Sequence, residues 1–171
     1  MVKLSVLSEN TVLEQASDLL GEHGLSLYLE TATQKILFDT GASGNFIHNA
    51  DKMGIDLRQV DTAVISHGHY DHCGGLKDFL DLNDKAPVYI NRQAFLPHFY
   101  GTDQYIGMDP SIIADKRFIL IDDFLKLNDS MSIYSCNGMS GQAPANNQGM
   151  HVLQNGRLVQ DQFWHEQYLL I

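Results

Sequence analysis

The segment between residues 67 and 72 carries the densest set of metal-binding side chains in the sequence. It reads His67-Gly-His69-Tyr-Asp71-His72, so three imidazoles and one carboxylate lie within six residues. In an extended turn, side chains two positions apart point the same way, and His67 and His69 can therefore bind one ion. Asp71 and His72 lie on the next bend and can face a second ion. Imidazole and carboxylate ligands favour zinc, with iron or manganese as substitutes. The alternative is a polar loop with solvated histidines.

A buried strand leads into this segment. Ala63-Val-Ile65 is a short apolar run, typical of a strand covered on both faces, and it runs directly into Ser66. Beyond the segment, Gly74-Gly75 lets the chain turn into an amphipathic helix over 76–82, and the next strand spans 87–90. The pattern predicts a βαβ unit.

A second transition from strand to helix lies upstream, around Asp39. Residues 25–30 and 35–39 are two strand-like runs joined by a turn, which predicts a β-hairpin. Ser43 is the predicted cap of the following helix, and Gly54 ends that helix.

The remainder of the chain reads as further strands without a domain boundary. We predict strands over 2–7, 118–121, 132–135 and 168–171, a loop over 137–149, and a hairpin of 150–153 with 158–160 around Asn155-Gly156. No repeat or linker divides residues 1–171, so a single domain is expected.

The composition limits the class of protein. At 44% hydrophobic and 19% charged residues, the 171-residue chain can bury a core. Eleven Lys and Arg against 21 Asp and Glu give a net charge of −10, which disfavours nucleic acid or an anionic membrane as a partner. Two cysteines, Cys73 and Cys136, do not make a disulfide framework. Without a signal peptide or membrane span, we expect a soluble cytoplasmic protein.

These motifs resemble those of the metallo-β-lactamase superfamily, whose His-x-His-x-Asp-His signature is present in full. Asp39-Thr-Gly41 matches an early turn of the family, and Gly74-Gly75-Leu76 matches the glycines after the signature. Glu22–Ser26, Asp161 and His165-Glu166 are similar to one branch, which contains metal-dependent hydrolases and dihydropterin ribofuranosylaminobenzene phosphate synthases. The resemblance implies an α/β fold: the N-terminal half of an αββα sandwich, with a mixed sheet and helices on one outer face.

The resemblance also implies roles for the site residues. His67 and His69 would bind the first metal, and Asp71 and His72 the second. Asp39 would accept a hydrogen bond that orients a histidine or the loop, although a turn-forming Asp is the alternative. A metal-bound water would attack a carbonyl or phosphoryl centre. Asp71 would orient that water and take its proton.

The later histidines that complete both metal sites in the family have no clear counterpart here. His98, His151 and His165 are the downstream histidines, and none has the expected context. His165 either faces the site or is solvated. The same two alternatives apply to His23. His48 is expected on the surface. We therefore expect a chain truncated at its C-terminal end that, as a monomer, binds zinc loosely.

The expected activity is hydrolysis of an ester or phosphoester bond in a small molecule. The alternative is a truncated or split family member that binds metal or a partner chain without turnover. If the second half of the sandwich is absent, the inner face of the first sheet would be exposed. This predicts a homo-oligomer or capture of a separately encoded second half. The residues expected in the exposed patch are Leu27, Leu29, Leu37, Val64, Ile65, Leu169, Leu170 and Ile171.

Overall fold

The computed structural model describes residues 1–16, 18–135 and 147–171. Strands alternate with short helices in the first half of the chain, and strands dominate the second half. The strands are β1 (Lys3–Ser8), β2 (Ser26–Glu30), β3 (Lys35–Phe38), β4 (Thr62–Val64), β5 (Val88–Asn91), β6 (His98–Tyr100), β7 (Gln104–Tyr105), β8 (Phe118–Ile121), β9 (Phe124–Asn128), β10 (Met131–Ser135), β11 (Met150–Gln154), β12 (Arg157–Gln160) and β13 (Gln167–Leu170). The helices are α1 (Asn45–Lys52), α2 (Tyr70–Cys73) and α3 (Leu76–Leu82), with short 3-10 turns at Leu57–Gln59, Arg92–Phe95 and Pro110–Ile112.

The largest sheet is mixed and has the strand order β1-β2-β3-β4-β5-β8. β1, β2 and β3 pair antiparallel, whereas β3, β4, β5 and β8 run parallel to one another. The predicted hairpin and the predicted βαβ unit are both present. The parallel strands β3 and β4 end side by side, so the residues that follow them meet at one edge of the sheet.

One face of this sheet packs against the helices. Leu37 of β3 and Ala63 of β4 face the same core as Phe46 of α1 and Phe79 of α3, and all four are fully buried. The alternation along each strand sends the next residue to the opposite face. The helices predicted from the sequence therefore cover this face of the sheet.

The opposite face of the large sheet is covered by a second sheet from the same chain. β13, β10 and β9 form an antiparallel sheet, and its buried Met131 and Ile133 pack against Ile36 and Val64. The expectation that this inner face is exposed is therefore wrong. Leu29 and Val64 are buried under the second sheet, Leu27 and Leu169 are packed against it, and Leu37 and Ile65 are buried on the helical side. Only Leu170 and Ile171 of the predicted patch are exposed.

Several elements differ from the prediction in position or existence. Strands β6, β7 and β9 were not predicted. β6 and β7 have only three and two residues, whereas β9 has five. β6 and β7 join β11 and β12 in a separate antiparallel sheet. The predicted loop over 137–149 and Cys136 fall largely outside the described residues. Among the described helices, none is long and apolar enough to span a membrane.

The packing of the two sheets predicts unequal effects for two substitutions. Ile133 is 0% exposed between the sheets, whereas Leu170 on the neighbouring strand is 51% exposed. We expect Ile133→Ala to lower the free energy of unfolding by about 2–5 kcal/mol, because the lost side chain leaves a cavity. Leu170→Ala should change it by less than about 0.5 kcal/mol. Urea unfolding measures both, and equal effects would contradict the sheet packing described here.

Candidate metal centre

Asp39 lies at the centre of the site because it connects the ends of β3 and β4. Its Oδ1 accepts a hydrogen bond from the backbone N–H of Ser66 at 2.6 Å. Its Oδ2 accepts from the Ser66 hydroxyl at 2.7 Å and from Nδ1 of His72 at 2.7 Å. Asp39 is fully buried and has a φ of +60°, an unusual value for a residue with a side chain. The carboxylate therefore fixes the start of the signature loop, defined as residues 66–73, and one of its imidazoles.

The signature loop packs closely against neighbouring backbone. A Cβ on Gly68 would lie 2.4 Å from the carbonyl oxygen of Ala94, so only glycine fits between the two histidines. The backbone N–H of Thr40 donates to the carbonyl of His72 at 2.8 Å. Gln167, at the start of β13, is 0% exposed and donates from Nε2 to the carbonyl of Ile65 at 2.8 Å. Its backbone N–H donates to the carbonyl of Ser66. The loop is thus held from several distant parts of the chain.

Glu22 supports the turn that follows Asp39. Its Oε1 accepts from the backbone N–H groups of Ala42 and Ser43 at 3.0 and 3.1 Å, and its Oε2 accepts from the Ser43 hydroxyl at 2.6 Å. The prediction that Ser43 caps α1 is corrected in part. Gly44 directly precedes the helix and makes no capping hydrogen bond, whereas the Ser43 hydroxyl accepts from the backbone N–H of Asn45 at 3.2 Å. Glu22 accepts from the N–H groups just before the helix.

The structure brings the signature side chains together. His67, His69 and Asp71 each offer a ligand atom, and these atoms lie within 4.8 Å of one another. Nε2 of His72 lies 3.6 Å from Oδ2 of Asp71. The spacing matches ligands that share a pair of adjacent ions, although their role as metal ligands stays a prediction.

Within the part of the chain that the structure describes, the hydrogen bonds leave one nitrogen of each ring free for a metal. His72 donates from Nδ1 to Asp39, which frees its Nε2. Nδ1 of His67 lies 3.0 Å from the Ser66 hydroxyl oxygen, whose own proton is donated to Asp39, so Nε2 of His67 is also free. Nε2 of His69 is hydrogen-bonded to Oδ2 of Asp161 at 3.1 Å, which frees Nδ1. Such bonds to the remote nitrogen fix the tautomer that a ligating histidine needs. The residues therefore fit a divalent metal.

Burial and neighbouring charges shift the pKa values in this cluster. Burial and the nearby His72 and His69 hold the pKa of His67 well below its usual value, which keeps the imidazole neutral and able to bind metal. For His72, burial lowers the pKa, but the hydrogen bond and charge of Asp39 outweigh burial and raise it. Burial raises the pKa of the Asp39 carboxyl, against the bonds from His72 and Ser66.

A second group of buried polar side chains lies behind His69. Oδ2 of Asp161 accepts from Nε2 of His69 at 3.1 Å, from Nδ1 of His98 at 2.8 Å and from Nε2 of His165 at 3.2 Å. All four residues are at most 3% exposed. Burial raises the pKa of Asp161, but the bonds from His165, His69 and His98 outweigh it and hold the pKa far below its usual range. Asp161 is therefore a carboxylate that accepts from three imidazoles.

This buried group has the spacing of a metal site, but the hydrogen bonds of one member, His165, argue against that ring as a ligand. Its ligand atoms also lie within 4.8 Å of one another. However, Nδ1 of His165 accepts from the backbone N–H of Gly68 at 2.8 Å. Burial lowers the pKa of His165 to about 4, so the ring is neutral and its proton is on Nε2. A protonated Nε2 donates to Asp161 and has no lone pair for a metal.

The structure settles where the other candidate residues lie. His23 is mostly exposed, and its Nε2 lies 3.5 Å from Oδ2 of Asp71 at the rim of the site. His48 is exposed on α1, as predicted. His151 is outside both groups, and its Nδ1 contacts the carbonyl of Gly149. Cys73 is buried, its thiol donates to the carbonyl of His69, and burial raises the pKa of that thiol.

Asp161 and His98 have no role predicted from the sequence. Asp161 lies 92 residues from His69 and His98 lies 63 residues from Asp161, so no local spacing joins them. The available signal was the i, i+4 pair of Asp161 and His165 after a predicted hairpin.

Comparisons with known proteins agree with this geometry. The sequence profile described as "Metallo-beta-lactamase superfamily" matches residues 20–136. An uncharacterized protein of Methanocaldococcus jannaschii is 33% identical over 119 residues, which cover 68% of this chain and 43% of the relative. The 7,8-dihydropterin-6-methyl-4-(beta-D-ribofuranosyl)-aminobenzene-5'-phosphate synthase of the same organism is 25% identical over 159 residues, covering 82% of this chain and 53% of the synthase.

A solved structure matches nearly the whole length of this chain. The crystal structure of a metal-dependent hydrolase of the beta-lactamase superfamily matches with a TM-score of 0.80 and 30% identity. The match covers 99% of this chain and 60% of that structure. The chain thus spans about half the length of the curated relatives it matches. The family resemblance and the mixed-sheet fold inferred from the sequence are confirmed.

The bonds of Asp39 predict the effect of removing one of its acceptor oxygens. Asp39 uses both carboxylate oxygens as acceptors, whereas Asn has only one, so in Asp39→Asn an NH₂ donor faces either the backbone N–H of Ser66 or the His72 ring, and the anchor of the signature loop is weakened. We expect zinc affinity to fall by about 10- to 100-fold. Competition with a chromogenic chelator measures this, with His151→Gln as the control. Unchanged zinc affinity in Asp39→Asn would contradict the assigned role.

A parallel prediction concerns Asp161. Its Oδ1 accepts from the backbone N–H of Phe163 at 2.8 Å while its Oδ2 accepts from the imidazoles. In Asp161→Asn an NH₂ donor replaces one of these acceptors, and with NH₂ at the Oδ2 position His69 loses the bond that fixes its tautomer. Zinc affinity should again fall by about 10- to 100-fold. ¹⁵N NMR of the metal-free protein checks the cause, because the proton of His69 should no longer be confined to Nε2. A proton that stays on Nε2 would contradict this explanation.

Proposed function

The chain belongs to the metallo-β-lactamase superfamily, and from this premise we propose that it is a metal-dependent hydrolase. The proposed reaction is cleavage of an ester, phosphoester or related bond in a small molecule. A small-molecule substrate is favoured over nucleic acid because the net charge of −10 opposes binding of a phosphate backbone.

The observation that carries this proposal is the set of free ligand atoms at the signature loop. Nε2 of His67, Nδ1 of His69 and Nε2 of His72 are the nitrogens that the hydrogen bonds leave unused. Asp71 adds a carboxylate beside them. Four side chains on one short loop therefore offer lone pairs without any side-chain rearrangement.

The donor set supports zinc as the bound ion, with iron or manganese as alternatives. The ligands are imidazole nitrogens and a carboxylate, without a thiolate, because the thiol of Cys73 is buried and protonated. A divalent ion held here supplies a water of lowered pKa and polarises the bond to be cleaved.

The residues of this chain would then orient the water and the histidines, and one of them would accept a proton from the water. Asp71 is less buried than Asp39 or Asp161, and one of its oxygens lies at the rim, 3.5 Å from His23. We assign Asp71 the role of positioning the attacking water and accepting its proton. Asp39 and Asp161 keep His72 and His69 in the required tautomers from inside the protein.

A second candidate function is metal or partner binding without turnover. The supporting observation is that the chain spans 43% and 53% of two curated relatives, so groups that those proteins carry elsewhere are not among its residues. In this alternative, a second copy or a separately encoded second half would bind the chain and complete the site.

The two functions predict different behaviour for an Asp71 variant. With zinc in excess, the unmodified protein should hydrolyse p-nitrophenyl acetate or bis(p-nitrophenyl) phosphate. Asp71→Asn should lower kcat/KM by about 100-fold or more, because it removes a metal ligand and the proposed proton acceptor. His48→Gln, an exposed position, is the matched control. Equal rates for Asp71→Asn and the unmodified protein, or none above that of free zinc for either, would refute the hydrolase proposal.

A further inference from the structure

The segment that leads into β2 crosses the rim of the signature loop next to Asp71. Gly24 has a φ of +141°, and a Cβ at this position would lie 2.0 Å from the carbonyl oxygen of Asp71, so only glycine fits. The backbone N–H of Leu25 donates to the same carbonyl at 3.2 Å. These two contacts join segments that are distant in the sequence. The residue that precedes Gly24, His23, is therefore held beside Asp71.

The residue before His23 is anchored as well. Glu22 accepts from the backbone N–H groups of Ala42 and Ser43 and from the Ser43 hydroxyl. The side-chain amide of Asn45 also donates to Oε2 of Glu22, at 3.1 Å. The backbone of His23 thus lies between two fixed residues, whereas its side chain is 70% exposed. An exposed ring can turn toward an ion without displacing a packed neighbour.

Two imidazoles approach the same oxygen of Asp71. Nε2 of His23 lies 3.5 Å from Oδ2 of Asp71, and Nε2 of His72 lies 3.6 Å from that oxygen. Both distances exceed the upper end, about 3.2 Å, of ordinary N–H···O hydrogen bonds. They match two ligands of one ion, because tetrahedral bonds of about 2.1 Å place neighbouring ligand atoms about 3.4 Å apart.

A third ligand would also complete the donor set of the second ion. The ligands predicted for this ion from the sequence are Asp71 and His72, whereas catalytic zinc sites commonly have three protein ligands and leave a further position for water. His23 would add an imidazole nitrogen, a donor that zinc and iron accept. A metal ion competes with a proton for the lone pair of Nε2, so the assignment does not depend on the charge of the ring in the metal-free protein.

We propose that Nε2 of His23 is a third ligand of the ion predicted to bind Asp71 and His72. This proposal rests on the metal site of the proposed function but not on hydrolysis itself. The alternatives are an ion pair between a protonated His23 and Asp71, and a ring that contacts only solvent. Neither alternative places a bond between His23 and a metal, so the presence of that bond decides between them and the proposal.

NMR coupling between nitrogen and cadmium measures this bond directly. We would load ¹⁵N-labelled protein with ¹¹³Cd²⁺, a spectroscopic substitute for zinc, and record spectra of the histidine ring nitrogens. Nε2 of His23, assigned as the signal that is missing in His23→Ala, should show a coupling to ¹¹³Cd. Absence of this coupling when both ions are bound would overturn the proposal, and so would binding of only one ion by the unmodified protein.

Zinc affinity provides a second measurement. His23→Ala should weaken binding of the second ion by at least about tenfold, a difference of about 1.4 kcal/mol, and change binding of the first ion, at His67 and His69, by less than about twofold. Competition with a chromogenic chelator measures both steps. The matched control is His48→Ala, which removes an exposed histidine of α1 and should change neither step. Equal affinities of His23→Ala and His48→Ala for the second ion would refute the role of His23.

The results separate this proposal from the hydrolase proposal. Coupling at Nε2 of His23 without hydrolysis by the unmodified protein would refute only the hydrolase function. Hydrolysis by a protein with both ions bound but without this coupling would refute only the role of His23. Failure of the unmodified protein to bind any ion would refute both proposals.

Discussion

The buried carboxylate of Asp39 is the interaction on which the arrangement of this protein depends. It joins two parallel strands at the point where both end, through bonds to the backbone and hydroxyl of Ser66 and to His72. Its left-handed backbone conformation turns the chain sharply into the loop before α1. Without an acceptor at this point, Ser66 would lose two hydrogen-bond partners and the signature loop would lose its fixed origin.

Asp161 provides a comparable support from the other side. The signature loop lies between these two buried carboxylates, with His72 bonded to one and His69 to the other. His165 adds a bond to the backbone of Gly68 in the middle of the loop. The chain thus supports the signature loop from behind, so that the nitrogens predicted to bind metal do not have to be ordered by the metal itself.

The features that could be predicted from the sequence are local ones. The hairpin of β2 and β3 follows from alternation, and the six-residue signature contains the predicted ligands within one short segment. The covering of the inner sheet face could not be predicted, because β10 pairs with both β9 and β13, and these pairings depend on the whole fold. Asp161 and His98 were missed for the same reason: their contacts join residues 63 to 92 positions apart.

Gln167 contacts the signature loop but is synthesised long after it. Its side chain and backbone donate to the carbonyls of Ile65 and Ser66, about one hundred residues earlier in the chain. While the ribosome is still translating that intervening stretch, the signature loop lacks Gln167, His165 and Asp161. Histidines that have already emerged can bind metal only as a flexible peptide. The hydrogen bonds that support the signature loop are therefore completed late, only after β13 has joined its sheet.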